Sequence, residues 1–342
     1  MTQGLGPVSE RSSGGHADDH ASAFVTRLLE NVAIQDWLIT GYFAASFFAL
    51  LLGKGPGRPS CIAWVLFEFA CFACGIVLTR GGVLRPRSFA NELVYRMTVF
   101  LSVFLSYFRL RQILPAVSPH TLDAQIFAFD MRVFGFEPSL SWDRFVTPHT
   151  TEWFAFFYFG YFFILSAHVI PMLLLPCDRK RFAHFALGVF IIFCVGHLGY
   201  MVVPGWGPYR YLEGRYEHAL EGGLFWNLVK ATVDAGGAQK DIFPSLHTAV
   251  PTFFAIYSWM HRRTLPFRYT WPLMAFLATQ IILATMFLRW HYLIDIVAGL
   301  ALATFAAVFS QRVAEWEDAR RRNRGISAVF SRLEWRKPGS EG

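Results

Sequence analysis

Long apolar stretches recur along this chain of 342 residues and constrain its fold more than any other feature. A helix crosses the hydrocarbon layer of a membrane, about 30 Å thick, with roughly 17–25 apolar residues. Such runs predict eight membrane-spanning helices, at residues 36–53, 61–79, 93–109, 153–176, 183–203, 246–261, 271–288 and 291–310. Because 54% of the residues are hydrophobic and only 16% are charged, the sequence predicts an all-α polytopic membrane helix bundle.

The net charge of +7 is explained by the distribution of Lys and Arg between the two sides of the membrane. The basic residues do not form a patch that would bind nucleic acid. If the C-terminus is cytoplasmic, the inner segments hold 19 Lys and Arg residues and the outer segments hold 10 over a similar length. Cytoplasmic loops of membrane proteins carry the larger share of these residues. We therefore expect both termini in the cytoplasm, and the long loops 109–151 and 204–244 on the outer face, which is periplasmic, extracellular or lumenal.

The same pattern divides the chain into four regions. They are a disordered cytoplasmic tail (1–34), the N-terminal membrane helices (35–110), a catalytic membrane core with outer loops (111–310) and a basic cytoplasmic tail (311–342). The third membrane helix is expected to join the core. Within the core, residues 121–136 mix apolar side chains with Asp123 and Asp130, which predicts an interfacial helix on the outer surface.

Two short segments place histidines at the ends of predicted membrane helices. One apolar run leads away from His247 and the next returns to His291, so both histidines are expected at the outer face. Asp295 follows His291 by four residues, which places its carboxylate one helical turn away, where it can fix the tautomer of the ring. Ser245 can cap the helix that begins near Leu246, and a helix N-terminus binds anions. A structural polar pair between helices is the other reading of His291 and Asp295.

Four residues of the same outer region are candidates for binding a phosphate group. Arg210 can form paired hydrogen bonds with phosphate oxygens, and Tyr209 lies beside it. Ser245 faces the same space, and Arg289 is either a second phosphate ligand or an interface anchor. The outer loops offer no acidic cluster comparable with a magnesium site, so we expect neither a metal nor a cofactor.

At these residues the chain resembles the type-2 phosphatidic acid phosphatase superfamily. The matching segments are Gly207-Pro208-Tyr209-Arg210, Phe243-Pro244-Ser245-Leu246-His247 and His291-Tyr292-Leu293-Ile294-Asp295-Ile296-Val297-Ala298-Gly299, within a similarity over about residues 120–310. The resemblance implies a core of six helices made by the last six spans, with about two additional N-terminal spans. It also implies that His291 is the nucleophile that forms a phosphohistidine, Asp295 its orienting partner and His247 the acid for the leaving group.

Departures from the superfamily pattern favour one of its branches. The phosphatases carry Lys-x6-Arg-Pro in their first motif, which this sequence lacks. They also carry Ser-Arg six to seven residues before the last histidine, where this chain has Ala284-Thr285. Leu246 stands where those phosphatases have glycine. In these respects the chain is similar to the inositol phosphorylceramide synthase-like branch.

This resemblance implies a membrane lipid phosphotransferase. Such an enzyme moves a phosphoryl group or a phospho-headgroup from a membrane phospholipid to ceramide, diacylglycerol or another alcohol. A lipid phosphate phosphatase, with water as acceptor, uses the same phosphohistidine and stays open as an alternative, because only water exclusion separates the two. A transporter whose His and Asp relay protons predicts broken helices or inverted repeats, and the sequence shows neither. Nothing in the sequence indicates an oligomeric state.

Overall fold

A computed structural model describes residues 14–331 and Leu333, and this part of the chain is helical, with no strand. The helices are α1 (Gly14–Asn31), α2 (Ile34–Leu52), α3 (Arg58–Arg80), α4 (Phe89–Val117), α5 (Asp123–Val133), α6 (Pro138–Ser141), α7 (Pro148–Leu174), α8 (Arg179–Val202), α9 (Pro208–Tyr211), α10 (Leu224–Gly236), α11 (Leu246–Met260), α12 (Phe267–Phe287) and α13 (Leu293–Asn323). Two short 3-10 turns, Asp143–Phe145 and Glu213–Arg215, lie in the loops. The predicted all-α bundle is confirmed.

Seven of the described helices are long and apolar enough to cross a membrane, namely α2, α3, α4, α7, α8, α12 and α13. The protein is therefore an integral, multi-pass membrane protein. The eighth predicted span corresponds to α11, which has only 15 residues, or about 22 Å at 1.5 Å per residue. It packs against α8, α12 and α13, and a helix surrounded by other helices need not match the thickness of the lipid.

Glycines allow α11 to approach its neighbours closely. A Cβ atom at Gly196 of α8 would lie 2.5 Å from the Leu246 side chain. At Gly299 of α13 it would lie 2.6 Å from the carbonyl oxygen of Ser245. Both distances are shorter than a van der Waals contact, and small residues are what allow helix backbones in membranes to come this close. The first turn of α11 is thus held directly against α8 and α13.

The two ends of the described chain meet at one end of the bundle. Arg321, near the end of α13, donates hydrogen bonds to the carbonyl oxygens of Asn31 and Val32, at 2.8 and 3.1 Å. Arg96 donates to the carbonyl oxygen of Ser331 at 2.9 Å. Since α13 is 31 residues long, or about 45 Å, this end of the bundle is remote from His291.

Both predicted tails contain helix where the structure describes them. The predicted disordered tail 1–34 includes α1, whose Leu28 packs against the apolar core, and it runs into the start of α2. The predicted basic tail 311–342 continues α13 as far as Asn323, where ion pairs four residues apart, such as Glu317 with Arg321 at 2.6 Å, support the helix. The remaining parts of these tails, residues 1–13, 332 and 334–342, lie outside the described residues.

Candidate active site

The two histidines predicted from the sequence lie on one cavity. The ring centroids of His247 and His291 are 6.3 Å apart. Both rings line a cavity of about 120 Å³, together with Asp241, Tyr107 and several aromatic side chains. His247 is the second residue of α11, and His291 lies two residues before α13. The hairpin of α11 and α12 therefore brings two imidazoles together at the starts of two helices.

Asp295 lies behind the ring of His291. Its Oδ2 is 3.4 Å from Nδ1 of His291, close enough for an ion pair but without the geometry of a hydrogen bond. Oδ2 accepts the N–H of Tyr292 at 2.9 Å. Hydrogen bonds of this kind often tighten only when substrate binds. The carboxylate is fully buried and lies on the Nδ1 side of the ring.

Burial also determines the charge of His291. Burial lowers its pKa to about 4, although the charge of Asp241 and a backbone hydrogen bond with Ile242 act in the opposite direction. The ring is therefore neutral near pH 7, which is the form that can attack phosphorus.

Aromatic rings hold His247 at the opposite wall of the cavity. Its ring stacks on Tyr158, with centroids 4.4 Å apart, and contacts Tyr161 at 4.3 Å. Its Nε2 has no hydrogen-bond partner within the described part of the chain. Ser245 accepts the N–H of Thr248 at 3.2 Å and so caps α11, as the sequence indicated. Ser245 is fully buried and supports His247 from below without lining the cavity.

The predicted interfacial helix is α5, and its two carboxylates fix the structure around the cavity. Asp123 accepts the N–H groups of Trp206 and Gly207, at 3.0 and 2.9 Å. Asp130 lies two turns further along and accepts the N–H of Leu293 at 2.7 Å. Asp123 thus holds the loop after α8, and Asp130 holds the first turn of α13. The N–H of Leu293 is bonded to Asp130 and is not free to bind a ligand.

The nearest cations surround one tryptophan at the edge of the cavity. The guanidinium of Arg210 lies 3.8 Å from the ring centroid of Trp206, and the amine of Lys240 lies 5.4 Å from it. Arg210 is exposed and forms no ion pair with any described residue. Tyr209 lines the cavity and packs on Trp290 at 4.8 Å. No Lys or Arg is among the described residues that line the cavity itself.

One comparison with known proteins identifies the family of this chain. A family model described as the PAP2 superfamily matches residues 124–309, which is more than half of the sequence. The chain belongs to the PAP2 superfamily. This is the type-2 phosphatidic acid phosphatase superfamily named above, and the match includes His247, His291 and Asp295. No curated protein and no solved structure matched the chain.

Membership of the PAP2 superfamily indicates a lipid enzyme of the phosphatase or phosphotransferase type. The matched region runs from α5 to the middle of α13. It therefore contains both histidines of the cavity and Asp130, whose carboxylate holds the first turn of α13. Tyr107, on α4, is a cavity residue outside the match.

Arg289, a predicted phosphate ligand, forms hydrogen bonds with residues of two loops. Its guanidinium donates to Asp143 Oδ1 at 2.7 Å and to the carbonyl oxygen of His218 at 2.6 Å, and it stacks on Tyr216 at 3.7 Å. The pKa of Asp143 is below its usual value. Burial raises the pKa of Asp143, but hydrogen bonds from His218 and Glu217 and the charge of Arg289 together lower it by more. These contacts join the loop that carries Asp143 to the loop that carries His218.

We expect Arg289→Met to lower the stability of the protein more than it weakens substrate binding. The substitution leaves the Asp143 carboxylate, 7% exposed, without its cation. A lost hydrogen bond to a charged group costs about 1.5–3 kcal/mol. Thermal unfolding in detergent should show a lower midpoint for Arg289→Met and for Asp143→Asn. The double variant should lose less than the sum of the two single variants, because both remove the shared contact between Arg289 and Asp143. A normal midpoint with a raised KM would instead make Arg289 a substrate ligand.

Sequence reasoning missed Asp241 and Tyr107. Asp241 lies six residues before His247 in the same outer loop, so its position beside a motif was an available signal. Tyr107 lies within an apolar run, and nothing in that pattern distinguishes a tyrosine that faces a cavity from one that packs in the core.

Proposed function

We propose that this PAP2 superfamily member is a lipid phosphotransferase of the inositol phosphorylceramide synthase-like branch that acts through a phosphohistidine. One observation supports this most directly, namely two imidazoles on one small cavity with a carboxylate behind one of them. His291 is the proposed nucleophile, because it is the ring with the carboxylate and is neutral near pH 7.

In the proposed first step, His291 attacks the phosphorus of a membrane phospholipid. The P–O bond to the leaving group breaks as the P–N bond forms, and His247 gives a proton to the leaving oxygen. Burial lowers the pKa of His247 to about 3 in the free protein, so in this proposal the negative charge of the bound phosphate raises the pKa and supplies the protonated ring. Asp295 stabilises the positive charge that develops on the ring of His291. Arg210 is the proposed phosphate ligand. Its exposed guanidinium lies over the ring of Trp206, which lines the cavity, and it forms no ion pair with any described residue that it would have to break.

In the second step, an acceptor takes the group from His291. The aromatic side chains Tyr158, Trp206, Tyr209 and Trp290 are among the residues that line the cavity. Apolar surface of this kind supports an alcohol with a lipid body, such as ceramide or diacylglycerol, as the acceptor in preference to water.

Incubation of the purified protein with phosphorus-labelled phospholipids tests this proposal. The reactions are run with and without ceramide, diacylglycerol or inositol, and every labelled product is identified. We expect label in a new phosphorylated alcohol that depends on the added acceptor. Label found only in inorganic phosphate or in the released headgroup would show that water is the acceptor. Unchanged phospholipid in every reaction would contradict the enzymatic proposal and favour the transporter reading.

We expect the reaction to need no divalent metal. Among the described residues no group of three or more His, Cys, Asp or Glu side chains could hold a metal ion. The proposed chemistry is covalent and needs none. Activity measured in EDTA should therefore equal activity without it. Loss of activity in EDTA that returns with excess magnesium would contradict this expectation, and a parallel assay in EGTA separates an effect of calcium from one of magnesium.

We further propose that both termini are cytoplasmic and that the cavity opens on the outer face. The Lys and Arg asymmetry supports this orientation, and Asn31 and Arg321 meet at the end of the bundle remote from His291. In intact cells, an impermeant thiol reagent should label a cysteine engineered at Glu221 and not one engineered at Arg324. The parent protein, which has five cysteines of its own, gives the background. The reverse pattern of labelling would place the cavity on the inner face.

A further inference from the structure

One carboxylate of the cavity has no part in the mechanism proposed above. Asp241 lines the cavity beside His247 and His291. The hydroxyl of Tyr107 donates a hydrogen bond to its Oδ2 at 3.2 Å. Asp241 forms no ion pair with any residue that the structure describes, and no Lys or Arg of that part of the chain lines the cavity.

The surroundings of Asp241 make it a poor ligand for phosphate and a good base. A carboxylate repels an anionic phosphate in a cavity without cations. Burial raises the pKa of Asp241 above its usual value, although its backbone hydrogen bonds, the charge of His291 and the Tyr107 hydroxyl lower it in part. A base is most effective when its pKa lies near the working pH. Asp241 is therefore suited to accept a proton from a neutral ligand.

We propose that Asp241 is the base for the acceptor alcohol in the second half of the reaction, an inference that rests on the proposed phosphohistidine. The acceptor oxygen attacks phosphorus while the P–N bond to His291 breaks, and the bonding pair returns to the ring nitrogen. The hydroxyl proton of the acceptor passes to the carboxylate of Asp241. A proton transfer from Asp241 to His247, which lines the same cavity, then restores both groups, so one turnover neither gains nor loses a proton.

This assignment gives the two walls of the cavity different tasks. His247, stacked between Tyr158 and Tyr161, serves the leaving group of the donor. Asp241, bonded to Tyr107 of α4, serves the acceptor. The acceptor class is a neutral alcohol, because an anionic acceptor would meet the charge of Asp241.

The titratable groups near Asp241 come from several elements. They are Tyr107 of α4, Tyr158 of α7, Tyr200 of α8, Tyr209 of α9, His247 of α11 and His291. The four phenols stay protonated at physiological pH. An acid limb in the transfer step is assigned to Asp241 by Tyr107→Phe, because the Tyr107 hydroxyl bonds to Asp241 and to neither histidine.

Rapid-quench assays on full-length protein separate the two half-reactions. The donor is phosphorus-labelled phosphatidic acid in mixed micelles, and the acceptor is 1-butanol, whose phosphorylated product differs from the donor. We expect Asp241→Asn to form labelled His291 at the parent rate and to pass the label to the alcohol roughly 10²–10⁴-fold more slowly, so that the labelled enzyme accumulates. The control is Asp234→Asn, which changes an exposed carboxylate of α10 outside the cavity and should leave both rates unchanged.

Tyr107→Phe provides a second, milder test that also guards against a folding defect. Without the hydroxyl, the carboxylate form of Asp241 is less stable, so the acid limb of the transfer step should move up by roughly 0.5–1 pH unit. An unmoved limb would contradict the proposal. Equal losses in both half-reactions of Asp241→Asn would also contradict it and would make Asp241 a residue that positions His291. No loss in either half-reaction would contradict it as well. A parent protein that never labels His291 would overturn the phosphohistidine itself.

Discussion

Alanine in place of His291 is expected to lower turnover by at least about 10⁴-fold, because it removes the proposed nucleophile and with it the covalent intermediate. The ring lies in the cavity with Asp295 behind it, 3.4 Å from Nδ1. Asp295→Asn should also be strongly impaired, since an amide favours the wrong tautomer of the ring. Acid-labile phosphate on the denatured protein is the direct measurement, and it should be absent from His291→Ala.

A second histidine variant controls for the loss of an imidazole in general. His168 is on α7, stacks on Phe254 and does not line the cavity, so His168→Ala should retain label and turnover. Acid-labile phosphate that persists in His291→Ala would move the nucleophile to another residue. Turnover without any labelled protein in the whole set of variants would end the covalent mechanism.

Alanine in place of His247 is expected to slow the reaction by roughly 10²–10⁴-fold, the usual contribution of a general acid. The defect should depend on the leaving group, because a good leaving group needs little protonation. With an aryl phosphate or an aryl phosphodiester, His247→Ala should recover part of its activity, whereas Asp295→Asn should not. The measurement is the ratio of variant to parent rates for the aryl substrate and for the lipid substrate.

The trapped intermediate separates the roles of the two histidines. Denatured His247→Ala should retain acid-labile phosphate when the aryl substrate is used. If label is instead retained by His291→Ala and lost from His247→Ala, the two roles are exchanged. A defect of equal size for both substrates would show that His247 has a structural role, consistent with its contacts to Tyr158 and Tyr161.

The sequence predicted the membrane helices well because lipid imposes a length and a polarity on each of them. The prediction was less accurate for helices that are surrounded by protein instead of lipid. The helix α11 is short, and its closeness to α8 and α13 depends on Gly196 and Gly299, which no hydropathy pattern reveals. The amphipathic α10 was missed because a distant residue of the chain supports its start. Its N-terminal N–H groups are accepted by Glu152, more than 70 residues earlier in the chain.

The candidate site was predictable to the extent that it is local in sequence. His291 and Asp295 are four residues apart, and Ser245 precedes His247 by two, so short motifs contain them. The contact of Tyr107 with Asp241 joins residues 134 positions apart, and that of Asp143 with Arg289 joins residues 146 positions apart. Only the packed bundle brings such pairs together. Arg289 accordingly looked available for a ligand in the sequence, although its partners lie in two distant loops.

The glycine contact at Gly299 has a consequence for how such a site can diversify. The start of α11 rests on α13 through the main chain, at the carbonyl oxygen of Ser245, so the distance between the two backbones is set without a side chain between them. Trp206 and Tyr209 line the cavity but lie on neither of these helices. We therefore expect exchanges at Trp206 or Tyr209 to alter substrate preference more than the spacing of the two backbones that carry His247 and His291.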